Sequence, residues 1–368
     1  MTDTPERLPL PPGSTIGIVG GGQLGRMAAL AAAKLGYLVH TYSPDRDGPA
    51  AQVSAASTVA EYSDQVAIEA FACKVDVVTF EFENIPAESV RLMASHVPVR
   101  PCWSVLDIAQ DRIREKTFFK SIGIATAPWR EVGSLEQLTQ AVSELGRPAV
   151  LKTARMGYDG KGQVKITSDT DLAEAWESLG RGLDNAGIGV LEGFINFKCE
   201  ISVIVARGVD GQWAAFDPVW NVHTNHILDT TTAPAPISKE LADQAMDIAH
   251  RAAEELGVVG LLAVEMFVTE EGLLVNEMAP RPHNSGHWTM DACLTDQFEQ
   301  FIRAVCGLPL GSPERHSDAV MKNLIGEDVD MWLNILGDPR AKLHLYGKAE
   351  ARPGRKMGHV NHIRPRSA

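Results

Sequence analysis

The sequence predicts a mixed α/β and α+β protein that opens with a doubly wound parallel-sheet domain. Three observations carry this. Apolar strand-like runs alternate with helical runs from Thr15 to about Pro101, and such alternation implies crossover connections and a parallel sheet. Beyond that point the elements shorten and turn signals such as Asp210-Gly211 separate neighbouring strands. Between the first strand and the first helix stands "GGGQLG" (Gly20, Gly22, Gly25). A chain of 368 residues has room for two or three such units, each with its own core.

In chain order, "MTDTPERLPLPPGS" is a loose Pro-rich tail without the apolar core of a signal peptide. "TIGIVG" is a buried strand, and the Ala/Leu-rich helix after it closes at Gly36. "YLVHTYS" is the next strand, and "DQVAIEAFACKV" then "DVVTFEF" repeat helix and strand. "SVLDIAQDRIREKTFFKSIG" leads out as one charged helical stretch. A small α+β module follows, with helices "SLEQLTQAVSELG" and "DLAEAWESLG" around the strand "PAVLKTA". Strands at "GVLEGFI", "EISVIVARG" and "QWAAF" precede a long helix that Ser238 caps and Gly257 ends. "GLLAVEMFV", "GLLVNEMAP", a helix to Gly307 and a basic, Gly-containing tail complete the chain. The expected units are 14–105, 106–187, 188–310 and 311–368.

A formal net charge of −13 argues against a nucleic-acid or acidic-membrane partner, since phosphate surfaces attract basic faces. A small anionic substrate remains compatible with it. Five scattered cysteines without a CxxC pair read as reduced core thiols in the cytoplasm. No apolar run is long enough to span a membrane.

"GGGQLG" satisfies the dinucleotide spacing, but that fold needs an acidic residue at the end of the second strand. Here the strand ends "HTYSP", with Asp45 and Asp47 only in the following loop. A tight strand-to-helix turn, or a phosphate site for another ligand, serves as well. "ARMGYDGKGQVKI" reads as a β-hairpin turning at Asp159-Gly160, and also as a glycine-rich phosphate cover charged by Lys161. Lys152, at the end of "PAVLK", either reaches water or reaches the phosphates beneath that cover.

The strongest signal is "LLAVEMFVTEEGLLVNEMAPRPHNSGHW". A hairpin turning about Glu270-Glu271 sets Glu265 nearly opposite Glu277 on one face. Like charges placed so are destabilising. A divalent cation removes the repulsion, and oxygen ligands with no His or Cys nearby suit magnesium. The bland alternative pairs one carboxylate with Arg281 or with a lysine from elsewhere in the chain, and leaves the other in solvent. Loop, strand lysine and paired carboxylates together describe an ATP site.

With these residues assembled, the sequence resembles the ATP-grasp superfamily, and within it the 5-(carboxyamino)imidazole ribonucleotide synthases. The resemblance runs from "GIVGGGQLGRM" through "TAPW", "GYDGKGQ" and "NEMAPRPHNSGHWT" to "RPGRKMGH". It implies an ATP-grasp fold behind the N-terminal domain, with ATP between a small lid and a C-terminal domain. On matching positions, Arg112 and Lys152 would contact phosphates, and Gly157, Tyr158, Asp159, Gly160, Lys161, Gly162 and Gln163 would form the flap. Glu192, Gly193, Phe194 and Ile195 would present backbone to adenine, Glu200 would accept from the ribose, and His223 would stand on the nucleotide side. Glu265 and Glu277 would hold magnesium beside Asn276.

The implied reaction joins bicarbonate to the amine of 5-aminoimidazole ribonucleotide through carboxyphosphate, directly or after release of carbon dioxide, with ATP going to ADP and phosphate. Arg281 would hold the carboxyphosphate, and Asp159 and His283 are the candidates for proton transfer. Lys348 and Arg355, with Arg281, His283, Asn284 and Tyr158, would bind the ribonucleotide. A homodimer is compatible with the resemblance. The competing readings are another ATP-grasp carboxylate–amine ligase, an NAD oxidoreductase built on "GGGQLG", and a nucleotide sensor that binds ATP without turnover.

Overall fold

Four parallel strands form the N-terminal sheet in the order β3-β2-β1-β4, namely β1 (Thr15–Val19), β2 (Leu38–Ser43), β3 (Ala56–Val59) and β4 (Val77–Phe80). Helices α1 (Gln23–Lys34), α2 (Gln65–Ala72) and α3 (Ala87–Ala94) connect and follow them. The computed structural model describes residues 8–155, 157, 162–180 and 187–367. Every residue of β4 is buried, as a parallel strand covered on both faces requires.

The charged stretch expected as one helix is two, α4 (Trp103–Ala109) and α5 (Arg112–Ser121). Asp111 makes the break. Its carboxylate accepts from the N–H of Ile113 at 3.0 Å and of Arg114 at 3.3 Å, capping a new helix. The new start puts Arg112, Glu115 and Lys116 on one face by i, i+3, i+4 spacing.

The lid comprises β5 (Trp129–Val132), α6 (Leu135–Leu145), β6 (Ala149–Thr153), β7 (Gln163–Ile166), α7 (Leu172–Gly180) and β8 (Gly189–Gly193). Its antiparallel sheet runs β5-β8-β6-β7. Leu138, Leu151, Ile166, Leu179 and Leu191 fill a core of its own. The boundary expected at 187/188 therefore moves, because β8 lies between β5 and β6 and belongs to the lid.

The remaining strands are β9 (Cys199–Arg207), β10 (Trp213–Ala215), β11 (Val219–Thr224), β12 (Ile227–Ala233), β13 (Gly260–Val268), β14 (Leu273–Ala279), β15 (Ser317–Ile325), β16 (Ala341–Leu345) and β17 (Lys356–Pro365). They make one sheet ordered β14-β13-β9-β11-β12-β15-β17-β16, with β10 on β9. Helices α8 (Lys239–Glu255), α9 (Thr289–Ala292), α10 (Gln297–Cys306) and α11 (Trp332–Leu336) accompany it. The tail expected as a separate extension continues this sheet, since β15 pairs with β12 through Met321 and Thr231. One apolar cluster joins Ile16, Met27 and Ala28 of the N-terminal domain to Ile204, Leu261 and Phe298. The N-terminal domain is thus welded to the large sheet, while the lid packs on its own core.

Five cysteines are free, but the expectation of core thiols holds only for some. Cys293 and Cys306 are buried, whereas Cys73 and Cys102 are exposed.

Candidate active site

The β13–β14 hairpin pairs Val268 with Leu273, Phe267 with Leu274 and Met266 with Val275. The register then slips by one residue, and Glu265 faces Glu277 directly. Without the slip Glu265 would oppose Asn276, so the bulge is what sets the two carboxylates together. Arg112 Nη1 stands 3.3 Å from Glu277 Oε2. Burial in the cleft pushes the Glu277 carboxyl up, but Arg112, Lys152 and His283 outweigh it and hold the group below its ordinary value.

The expected absence of histidine near this pair is wrong. His283 Nε2 lies 3.0 Å from Glu265 Oε1, and donor atoms of Glu200, His223 and Glu265 fall within 4.8 Å of one another. The fold brings these residues in from other strands and loops. A buried chain orients His283. Thr231 Oγ1 donates to Asn221 Oδ1 at 2.9 Å, Asn221 Nδ2 to Ser202 Oγ at 2.9 Å, and Ser202 Oγ to Ser285 Oγ at 2.7 Å. The Ser285 hydroxyl is thereby left to donate to His283 Nδ1, 2.8 Å away. The ring proton then sits on Nε2, facing Glu265, so His283 acts as a donor in this arrangement. His223 Nδ1 is likewise engaged, 2.8 Å from Glu200 Oε2. Burial pulls His223 down, and its bond to Glu200 more than reverses this, leaving its pKa above the ordinary value. With both histidines paired to carboxylates, Glu265 and Glu277 remain a hard oxygen set that fits a divalent cation.

Facing the hairpin, Lys152 Nζ donates to Glu192 Oε2 at 3.0 Å. Lys116 Nζ stands 3.2 Å from the other oxygen of Glu192. Burial pushes the Glu192 carboxyl up, but Lys152, Lys116 and Arg112 hold it below its ordinary value. The Glu192 side chain is thus an internal counter-ion for two lysines. Gly193 N–H donates to Pro128 O at 2.8 Å and Phe194 N–H to Pro148 O at 3.3 Å. Of the four residues expected to present backbone to adenine, Ile195 keeps an N–H without a backbone partner among the described residues. Phe194 and Phe197 line the cleft beside it, with Phe197 stacked on Phe267 at 4.7 Å.

Gly157 and Gln163 line the same cleft. Gln163 Nε2 reaches His226 Nδ1 of the β11–β12 turn at 3.4 Å. Gly162 has φ +71°, and its carbonyl accepts from Thr153 N–H at 2.8 Å. Tyr158, Asp159, Gly160 and Lys161 lie outside the described residues.

The third wall belongs to the N-terminal domain. Glu81, following β4, turns its carboxylate onto the start of α1, where Oε2 accepts from Gly25 N–H at 2.7 Å and Oε1 from Gly22 N–H. A Cβ on Gly20, whose φ is +120°, would meet Glu81 Cγ at 2.3 Å. The glycines therefore clear room for the protein's own carboxylate, and the helix N-terminus suggested as a phosphate site is filled by Glu81. Arg281 Nη2 pairs with Glu83 Oε1 at 2.7 Å, tying β14's exit to this domain. Asn284 lines the cleft, and neither atom of its buried amide has a hydrogen-bond partner among the described residues.

Of the tail cations, Lys356 lines the cleft, whereas Lys348 and Arg355 do not. Lys348 Nζ donates to Lys356 O at 2.7 Å, and Arg355 Nη1 to Glu350 O at 2.9 Å. Burial, with Arg355 beside it, brings the Lys348 ammonium down to about 8.

These walls enclose about 710 Å³. A hollow of about 680 Å³ along 123–131 brings none of these groups together. Sequence reasoning missed Glu81, Glu115, Lys116 and Lys356. Only the acidic end of "TFEFEN" and the helical spacing of 112, 115 and 116 could have suggested the first three.

The ATP-grasp domain model matches residues 117–298, the ribonucleotide synthetase preATP-grasp domain model residues 14–110, and the phosphoribosylaminoimidazole carboxylase C-terminal domain model residues 319–368. An N5-carboxyaminoimidazole ribonucleotide synthase from Brucella melitensis is 49% identical over 98% of this chain and 99% of its own. A bifunctional purine synthesis protein from Dictyostelium discoideum is 48% identical over 98% of this chain, which spans 38% of that longer relative. The crystal structure of an N5-carboxyaminoimidazole synthase from Aspergillus clavatus, in complex with ADP and 5-aminoimidazole ribonucleotide, matches with a TM-score of 0.89 at 30% identity, covering 96% of this chain and 94% of that one.

Proposed function

The chain belongs to the N5-carboxyaminoimidazole ribonucleotide synthase family of ATP-grasp ligases, and from that premise we propose that it joins bicarbonate to 5-aminoimidazole ribonucleotide in purine biosynthesis. The products are 5-(carboxyamino)imidazole ribonucleotide, ADP and phosphate. The observation that carries this reading is the bulged hairpin, which opposes Glu265 and Glu277 on a cleft whose facing wall carries Arg112 and Lys152.

Glu265 and Glu277 would hold magnesium, which would supply charge neutralisation at the ATP phosphates. Arg112 and Lys152 bring positive charge to the opposite side of the phosphates, and Gly157 to Gln163 would cover them. A bicarbonate oxygen attacks the γ-phosphorus and the bond to ADP breaks, giving carboxyphosphate. The exocyclic amine then attacks its carbon, phosphate departs with the bridging oxygen, and the amine loses a proton. Arg281, held by Glu83, would steady the carboxyphosphate. The Asn284 amide offers a donor and an acceptor to the second substrate, and Lys348, Arg355 and Lys356 supply the positive end for its phosphate. His283 enters as an Nε2–H donor; Asp159 remains the alternative proton-transfer group.

We place the enzyme in the cytoplasm, where free cysteines persist, and expect a homodimer, to be measured by light scattering. Among the described residues no helix is long and apolar enough to cross a membrane.

Bicarbonate labelled with ¹⁸O tests the chemistry. One labelled oxygen should appear in the phosphate released. Unlabelled phosphate would remove carboxyphosphate from the pathway.

A further inference from the structure

Among the described residues, Lys116 is a strongly buried cation beside the cleft that the proposed reaction does not use. Its side chain is 1% exposed, against 5% for Glu192 and 14% for Lys152. Its ammonium makes no hydrogen bond of good geometry among the described residues, only the 3.2 Å ion pair with Glu192. Burying a charge so sparsely partnered is costly, and a leucine or methionine would pack on this helix face without that cost. Lys116 does not line the cleft, whereas Lys152 does. Whatever its charge does for a ligand, it does through Glu192.

Charge balance shows what that is. Two lysines share one carboxylate, so the cluster presents one net positive charge to the cleft. Without Lys116, Glu192 and Lys152 would neutralise each other, and a phosphate would have to pull Lys152 from a private counter-ion. The neighbouring Arg112–Glu277 pair is already balanced and does not replace the missing charge.

We propose that Lys116 is a positioning residue of the nucleotide site. It occupies one oxygen of Glu192, so that Lys152 meets the ATP phosphates with its charge uncompensated. This rests on the ATP-ligase reading of the cleft. Residue spacing on α5 makes the device compact. Arg112 reaches the hairpin, Glu115 Oε1 accepts from Met278 N–H at 2.6 Å, and Lys116 reaches the lid strand β8.

The test is calorimetric titration of the full chain with the β,γ-imido analogue of ATP in the presence of magnesium. Lys116→Met should weaken binding about tenfold, the scale of one charge acting through a partly screened site. Adding Glu192→Gln should restore it to within about threefold of wild type, because the net positive charge returns. A merely structural lysine predicts the opposite, a second loss added to the first. The KM for aminoimidazole ribonucleotide should stay within about twofold throughout. If Lys116→Met alone does not fold, the double variant decides, since the one charge it leaves is Lys152, which opens on the cleft. Near-wild-type binding by the double supports the proposal, and a loss of tenfold or more overturns it. Wild-type binding that ignores both changes sinks the positioning role alone. A wild-type chain that does not bind the analogue sinks the ATP reading and this proposal with it.

Discussion

Two glycine-rich turns border this cleft, and in sequence both look like anion sites. The first, Gly20 to Gly25, sits at a helix N-terminus, the geometry that most often receives a phosphate. The second, residues 157–163, joins two strands of the lid. In the structure the first is filled from within, with Gly22 and Gly25 donating to Glu81. At the second, Gly157 and Gln163 line the cleft together with Lys152 and Arg112. Glycine spacing thus reports backbone clearance, and the side chains opposite decide what fills the clearance. A carboxylate arriving from β4 closes one turn to anions, and a lysine arriving from β6 suits the other to them.

The largest test of that contrast removes the acid that faces the phosphate side. Glu277→Gln takes away charge but little volume, and kcat should fall about 10³-fold or more with the melting temperature little changed. Activity close to wild type at saturating magnesium would show that this wall does not handle phosphates. Next comes the internally filled turn. Gly20→Ala sets a Cβ against Glu81 at a positive φ, and urea unfolding should show a loss of about 3 kcal/mol. Binding of the ATP analogue by the folded variant should not move. If it does, the turn is part of the nucleotide site after all.

The tail sharpens the contrast from the other side. Lys348→Ala or Arg355→Ala should raise the KM for the ribonucleotide tenfold to a hundredfold, about 1.5–3 kcal/mol, and leave the KM for ATP alone. Because Lys348 titrates near 8, the same KM should climb above that pH as the ammonium is lost, and Lys348→Arg should flatten the climb. A KM that stays level from pH 7 to 9 would separate Lys348 from the substrate phosphate. The smallest effect belongs to Glu115. Burial pushes its carboxyl up to about 8, with Glu277 adding to the rise and Lys116 and Arg112 opposing it. A group raised in the folded state contributes stability that is whole below its ordinary 4.5 and is lost as pH rises through about 8. Glu115→Gln removes this loss, so its melting temperature relative to wild type should gain about 2 °C or more between pH 5 and 8 and then level.

Much of this was legible in the sequence because it rests on local patterning. Alternating runs gave the parallel sheet, and a turn at Glu270-Glu271 put Glu265 near Glu277. What stayed hidden was set by long-range packing. A one-residue bulge at Asn276 completes the carboxylate pair. Asp111 breaks a continuous helical pattern with a single cap. Strand β8 joins the lid because its pairing partners are β5 and β6, which no local period encodes. Nothing local singles out Lys116 and Glu81, which the fold buries at 1% and 7% exposure.

Phosphate release from ATP is the most direct test of the central claim. The account predicts rapid release when aminoimidazole ribonucleotide and bicarbonate are both present, strict dependence on magnesium, and little release when the ribonucleotide is left out. Release that is indifferent to the ribonucleotide, or binding of NADH without any ATP turnover, would contradict it.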